Sequence, residues 1–359
     1  MMRKILIIIQ RSNGDVLLSS PLIEALYNKF DTPQIDILVN DDTLAIAKVL
    51  SHINRIHTYS YSWRNKPFLH RLKYEFNLIK TIYRKYDLSI NLTASDRSVL
   101  YAVCASSYAI SAIEKDAEKS WWKKYLLKHH YYFDTQKHIL LNNMMPLTFL
   151  DVSLDKIQMH LASTIQARQN VLALLKQKKI SDFIIFHPSA QYAYKVYPTE
   201  YRNALLQSLN ALKIPIVVTG AKSDIDLEIK ENLPQLAYIY DFIGETTLDE
   251  YIALSELSMA YIGMDTLNMH IAAAQEKSIF AIFGPTLLSM WSPWSNKTQE
   301  YAQSNMPVQR YGDITIFQAD MTCVACGLAG CDNQHGMSEC LYHIDPQTIV
   351  KEVSRCLDK

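Results

Sequence analysis

Three stretches of this 359-residue chain carry side chains whose types and spacing could bind or move charge. In Gln10-Arg-Ser-Asn-Gly-Asp15 a carboxylate, Asp15, follows the apolar run Ile5 to Ile9 on a loop. There it could take a proton from a hydroxyl nucleophile; capping of the next helix by Ser12 or Asp15 is the plain alternative. In His187-Pro-Ser-Ala-Gln-Tyr-Ala-Tyr-Lys195-Val-Tyr-Pro198, Lys195 stands just before a helix opened by Pro198-Thr-Glu. A lysine at a helix mouth is a mobile point charge beside free backbone donors, which suits phosphate; a solvated lysine is the alternative. His187 reads as a structural strand-end residue. In Tyr261-Ile-Gly-Met-Asp265-Thr266-Leu-Asn-Met-His270 an apolar run meets a glycine, then a carboxylate and a hydroxyl, then a helix-like segment. Alone, Asp265 or Thr266 reads as an N-cap.

The elements around these stretches alternate. The first half gives a strand at Lys4 to Gln10, a helix at Pro21 to Lys29, a strand at Ile35 to Val39 and a helix at Thr43 to Leu50. A long helix from about Pro67 to Tyr86 and a strand at Leu88 to Asn91 follow. A helical stretch over 155–180 bridges to a second series. Its strands are Phe183 to His187, Ile214 to Thr219, Ala237 to Ile243, Met259 to Ile262 and Ser278 to Phe283. Helices lie between them, one of them announced by the capping box Thr247-Leu-Asp-Glu250. Alternating strands and helices imply parallel, doubly wound sheets. Glycine is scarce, nine residues, yet five (Gly14, Gly220, Gly244, Gly263 and Gly284) sit just past strand-like runs, as at the rim of a binding cleft. The expected division is 1–165, 175–345 and a C-terminal helix at 346–359.

At 49% hydrophobic and 20% charged residues the chain is a folded one, and its length suits two domains. Zero net charge, from 36 basic and 36 acidic residues, gives no bulk reason to expect a nucleic-acid partner. Basicity is instead local. Tyr59 to Asp87 carries Arg64, Lys66, Arg71, Lys73, Lys80, Arg84 and Lys85, and Lys119 to His138 is rich in lysine, histidine and aromatic residues. Such patches suit a polyanion or a membrane surface, against a solvated face with buried aromatics. The N-terminus reads as a first strand, not a signal peptide, and no apolar run approaches the ~18 residues of a membrane span, so a cytoplasmic location is expected. Cys323, Cys326, Cys331 and Cys340, with His335 among them, suggest a structural zinc site or buried free thiols. Neither a G-x-G-x-x-G fingerprint nor a P-loop ending is present, which disfavours a dehydrogenase.

Taken in order, these motifs resemble glycosyltransferase family 9, the ADP-heptose:lipopolysaccharide heptosyltransferases. The resemblance spans nearly the whole chain. It rests on Ser-Asn-Gly-Asp15-Val, Pro21-Leu-Ile-Glu-Ala-Leu, His187-Pro-Ser-Ala before Lys195-x-Tyr-Pro198, Gly220, and Gly244 before Thr247-Leu-x-Glu250. Gly263-Met-Asp-Thr266-x-x-Met-His270, Phe283-Gly-Pro-Thr286 and Ser292-Pro-Trp294 complete it, and the Cys-x2-Cys-x4-Cys tail resembles one branch of the family. It implies an α/β GT-B fold, two Rossmann-like domains facing across a central cleft, the acceptor on the N-terminal side and the sugar nucleotide on the C-terminal side. It implies inverting transfer of heptose from ADP-heptose to the inner core of lipopolysaccharide or lipooligosaccharide, with Asp15 as general base and no cofactor required. Lys195 and Ser189 would meet the donor diphosphate, and Asp265, Thr266, His270 and the backbone at Ile243 and Gly244 would meet the nucleotide. The partner would be an anionic lipid A–Kdo or inner-core acceptor at the cytoplasmic face of the inner membrane. Competing readings are a GT-B transferase of another sugar, a sugar-nucleotide epimerase, and a non-catalytic polyanion-binding protein with a degenerate GT-B fold. The chain departs from the family pattern at Leu267-Asn268, where a small pair is usual, and at Gln191-Tyr-Ala-Tyr194.

Overall fold

The computed structural model describes residues 2–357, without the side chains of 117, 119 and 120. Met1 of the expected first strand and the end of the expected 346–359 helix lie outside the described residues, as do the side chains of Lys119 and Ser120 in the second basic stretch. The chain divides into two compact units, Met1–Ile157 and Gln158–Lys359. The division therefore falls earlier than the expected 165–175. The terminal helix Pro346–Leu357 is part of the second unit, where Ile349 and Val353 join its core.

The first unit holds one parallel sheet of β1 (Lys4–Ile9), β2 (Gln34–Asn40), β3 (Ile53–Tyr59), β4 (Leu88–Asn91), β5 (Ala109–Ile113) and β6 (His129–Tyr132), in the order β3-β2-β1-β4-β5-β6. The second unit holds β7 (Ile184–His187), β8 (Ile216–Val218), β9 (Ile239–Asp241), β10 (Ala260–Met264), β11 (Ser278–Ile282), β12 (Val308–Tyr311) and β13 (Ile314–Phe317), in the order β12-β13-β11-β10-β7-β8-β9. Among the described residues of these sheets, only the β12–β13 hairpin pairs antiparallel. Both sheets thus repeat the doubly wound arrangement, in which strand order reverses beside the first strand and the loops leaving the two central strands diverge. The divergence lies between β1 and β4 in one unit and between β7 and β10 in the other. Central strands such as Lys4-Ile-Leu-Ile-Ile-Ile9 and Ala260-Tyr-Ile-Gly-Met264 read as continuous apolar runs because helices cover both faces.

The helix expected over 155–180 begins only at Ile165 and runs to Gln177. Tertiary hydrogen bonds hold the segment before it extended. Met159 exchanges backbone bonds with the amide of Asn296 at 2.9 and 2.8 Å, and Ser163 donates to Glu256. Thr164 then caps the helix, accepting from the Ala167 N–H.

Two of the five glycines are not past a strand. Gly14 lies inside the short helix Asn13–Leu17, and Gly263 is the fourth residue of β10, paired with His187 of β7. A side chain at Gly263 would place Cβ 2.4 Å from the His187 carbonyl oxygen and 2.7 Å from the Tyr261 hydroxyl. Glycine here permits the close approach of backbones at the point of divergence. Gly263→Ala should therefore lower the thermal midpoint, with a loss of about 1–3 kcal/mol from overpacking; calorimetry showing an unchanged midpoint would contradict this packing.

Candidate active site

In the second unit the β7 and β10 loops bring their chemistry together. β10 ends at Met264, Asp265 follows, and Thr266 is the N-cap of the helix Leu267–Ala274. That helix is apolar almost all round, which buries it and leaves its N-terminus at the divergence of the strands. From the β7 loop, Lys195 ends a short 3₁₀ turn and places its Nζ 3.3 Å from Asp265 Oδ2. The Asp265 side chain is buried while Lys195 stays partly open. Burial pushes the Asp265 carboxyl above its usual range, and the Lys195 charge and a hydrogen bond with Thr286 pull it back. A buried carboxylate thus fixes a lysine that keeps one face toward solvent, beside the N–H groups of a helix start. This arrangement suits a diphosphate.

His187 is structural, as its residue type and place suggest. Its Nδ1 lies 3.0 Å from Thr219 Oγ1 and accepts the amide N–H of Asn268 at 3.0 Å. Burial lowers its pKa to about 4, so the ring is neutral near pH 7. Asn268, where the sequence leaves the family pattern, therefore ties the β10 loop to β7. Ser189 is buried and hydrogen-bonds the carboxylate of Asp226, which also accepts from the Ser223 N–H and hydroxyl. The sequence signal for Asp226 is the capping box Ser223-x-x-Asp226. Gly244 takes φ +76° and donates its N–H to the Gly220 carbonyl at 2.9 Å. The Ile243 carbonyl accepts from Lys230 Nζ at 3.2 Å, so part of the backbone expected to hold a nucleobase is already engaged. His270 is buried within its helix.

Asp15 lies in the first unit, at the divergence of β1 and β4, where the Gln10 N–H donates to Thr93 Oγ1. Ser12 is the N-cap of Asn13–Leu17, and the Ser12 N–H and hydroxyl donate to Asp15 Oδ2 at 3.2 and 2.6 Å. The cap geometry is real, and it leaves the carboxylate buried with Arg11 Nε 2.9 Å from Oδ1. Burial raises the Asp15 pKa while Arg11 and Ser12 lower it. A raised pKa strengthens a carboxylate as a proton acceptor. Arg11 is the residue that motif reading passed over; it stands inside the quoted Gln10–Asp15 stretch, with its guanidinium 4.8 Å from the Phe133 ring centre.

All six cysteines are free thiols. Cys323, Cys326 and Cys331 are exposed, while Cys340 is buried and pushed up to about 11 by burial and by the three other thiols nearby. Among the described residues no group of three or more His, Cys, Asp or Glu side chains is placed to hold a metal.

The neutral His187 has a consequence for stability. Its folded pKa of about 4 lies below the ordinary 6.5, so the unfolded chain takes up a proton that the folded chain refuses. Stability is full above pH 6.5 and should fall as pH drops toward 4, by about 3 kcal/mol at most. Unfolding midpoints measured across that window should slope less in His187→Gln; identical slopes would show that His187 does not titrate on unfolding.

A family model described as glycosyltransferase family 9 (heptosyltransferase) matches residues 75–314. Lipopolysaccharide heptosyltransferase 3 of Escherichia coli K12 is 26% identical over 303 residues, covering 82% of this chain and 86% of that one. The E. coli ADP-heptose lipopolysaccharide heptosyltransferase II aligns at TM-score 0.74 and 18% identity over 98% of both chains. The E. coli heptosyltransferase WaaC with ADP aligns at 0.73 and 15%, over 98% of this chain and 99% of that one. At such identities the structural likeness shows the fold, which is GT-B. With two thirds of its length matched by the family model, the chain belongs to glycosyltransferase family 9, the heptosyltransferases.

Proposed function

We propose that this glycosyltransferase moves a heptose from ADP-heptose to the inner core of lipopolysaccharide or lipooligosaccharide by direct, inverting displacement. The observation that carries the donor half is the Lys195–Asp265 pair beside the start of the helix Leu267–Ala274. In the proposed reaction Asp15 takes the proton of the acceptor hydroxyl as its oxygen attacks the anomeric carbon. The bond to the diphosphate breaks, and its electron pair leaves with ADP. Lys195 and the helix-start N–H groups near 199 and 266 meet the developing charge, so the step calls for no cofactor. Before that, Asp15 must loosen its hold on Arg11, and Lys195 must share its charge between Asp265 and the donor. Ser189, engaged on Asp226, would orient the loop more than touch the phosphate. Thr266, His270 and the Gly244 turn would frame the nucleotide.

Features of the first unit support an anionic, lipid-linked acceptor met at a membrane surface. On the helix Phe68–Ile82 the side chains of Phe68, Leu69, Leu72 and Phe76 are exposed and fall within an arc of about 100°, bordered on one side by Lys73 and Lys80. Phe68 and Leu72 share a groove with Leu100 and Trp121. Its acids are largely matched: Glu75 accepts from the Tyr101 hydroxyl, and the buried Lys123 pairs with Asp96 and Glu114. Exposed apolar side chains beside basic ones suit an anionic bilayer surface, on the cytoplasmic face of the inner membrane in this reading. Among the described residues no helix is long and apolar enough to cross a membrane.

Asp15→Asn should cut turnover by about 10²-fold or more while ADP binding survives. Near-normal turnover would remove Asp15 as the base. Lys195→Ala should chiefly weaken ADP and ADP-heptose binding, and unchanged affinity by calorimetry would argue against its role. Mass spectrometry of the product with ADP-heptose, UDP-hexose and GDP-hexose donors separates heptosyl transfer from transfer of another sugar; no product with any donor would favour the non-catalytic reading. In flotation assays the full chain should bind vesicles containing phosphatidylglycerol more than neutral ones, and less as salt rises. Leu69→Ser combined with Phe76→Ser should weaken that binding; equal binding by both proteins would dismiss the apolar stripe as the docking surface.

A further inference from the structure

The cysteine-rich segment 323–340 carries a motif that the proposed chemistry leaves unused, yet it grips both walls of the Lys195–Asp265 site. On one side the His335 ring packs against Tyr192 and Tyr194, with centroids 5.6 and 5.5 Å away, and the two tyrosines stack on each other at 5.4 Å. These tyrosines belong to the loop that ends in Lys195. Tyr194 is close enough to Lys195 and Asp265 that both charges act on its hydroxyl. Just beyond the segment, the Ile344 carbonyl accepts from the Tyr197 hydroxyl. On the other side, the Gly327 N–H donates to the Pro285 carbonyl at 2.6 Å, and Leu341 packs on Gly284 so closely that a Cβ there would lie 3.0 Å from it. Gly284 and Pro285 lead directly to Thr286, the hydrogen-bond partner of Asp265.

The segment is itself rigidly turned. His335 takes φ +69°, and its N–H donates to the Ala329 carbonyl at 2.7 Å. Asp332 accepts the N–H groups of Gln334 and Gly336, and the Glu339 N–H points at Cys331 Sγ. The loop 191–195 is, like residues 331–335, largely exposed, but it has few hydrogen bonds of its own. A loop so placed wanders unless something ordered leans on it.

We propose that His335 is a positioning residue for the donor site. Its ring clamps Tyr192 and Tyr194 so that Lys195 is held, before donor arrives, where the diphosphate will lie. The inference rests on the reading of Lys195 as the phosphate contact. Organising the loop in advance removes an ordering cost from binding, so the clamp acts on donor affinity more than on the chemical step.

The test uses the full chain with ADP as probe in titration calorimetry, and steady-state kinetics with ADP-heptose. His335→Ala should weaken ADP about tenfold, the upper range for losing an aromatic contact. It should raise the donor KM in step and leave kcat within about twofold. His335→Phe, which keeps a ring, should restore affinity, and Tyr192→Ala, on the other side of the stack, should reproduce the loss. Unchanged ADP affinity in His335→Ala and Tyr192→Ala, with weakened affinity in Lys195→Ala, would overturn the clamp and leave the Lys195 reading standing. Unchanged affinity in Lys195→Ala would overturn both. A fall in kcat without a change in KM would also contradict a role in donor positioning.

Discussion

A carboxylate can stay charged inside a protein only if something compensates for the water it has lost, and that requirement organises the site in the second unit. Asp265 leaves β10 at the point where β7 and β10 part, with its side chain buried. Lys195 and Thr286 supply the compensation. Each comes from a different connection, so the carboxylate pins the β7 loop and the segment after β11 to the start of the helix Leu267–Ala274. The close pairing of Gly263 with His187, which admits no side chain, brings the two loop origins near enough for this to happen. The Asn268–His187 bond adds a neutral tie between the same elements.

The first unit repeats the device in a different key. Asp15 is also a buried carboxylate just past the divergence of two central strands, also raised by burial, and also held by one basic side chain, here Arg11. A buried carboxylate matched by a single cation can keep its charge and still change partners when a ligand arrives. In the proposed function the incoming partner of Lys195 is a phosphate and that of Asp15 is a hydroxyl proton. In that proposal each unit contributes one of the two charge requirements of glycosyl transfer, a cation suited to the leaving group or a base suited to the nucleophile.

Much of this was legible in the sequence. The central strands announce themselves as unbroken apolar runs because both of their faces are covered, and the loops with chemistry follow those strands directly. The edges were harder. β3 is polar and half exposed, β6 is His129-His-Tyr-Tyr, and β12 alternates weakly, so none carries the apolar run of a buried strand. The turn between β12 and β13 did offer a Gly312-Asp313 hairpin signal. The helix expected over 155–180 starts late because Asn296 and Glu256, more than 90 positions away, hold its approach extended, and no local pattern encodes such bonds. Among the candidate site residues, Asp15, Lys195 and Asp265 stood out by type and position. The pairing of Arg11 with Asp15 and of Thr286 with Asp265 became evident only from the fold, whereas Asp226, which Ser189 engages, also had a capping-box signal in the sequence.

The central claim is that the Lys195–Asp265 pair receives the donor diphosphate, and a crystal structure of the chain with ADP tests it most directly. The account predicts Lys195 Nζ within about 3 Å of a diphosphate oxygen, with the phosphates at the start of the helix Leu267–Ala274 and Asp265 still bonded to Thr286. ADP bound elsewhere, with the Lys195–Asp265 pair closed and untouched, would contradict it.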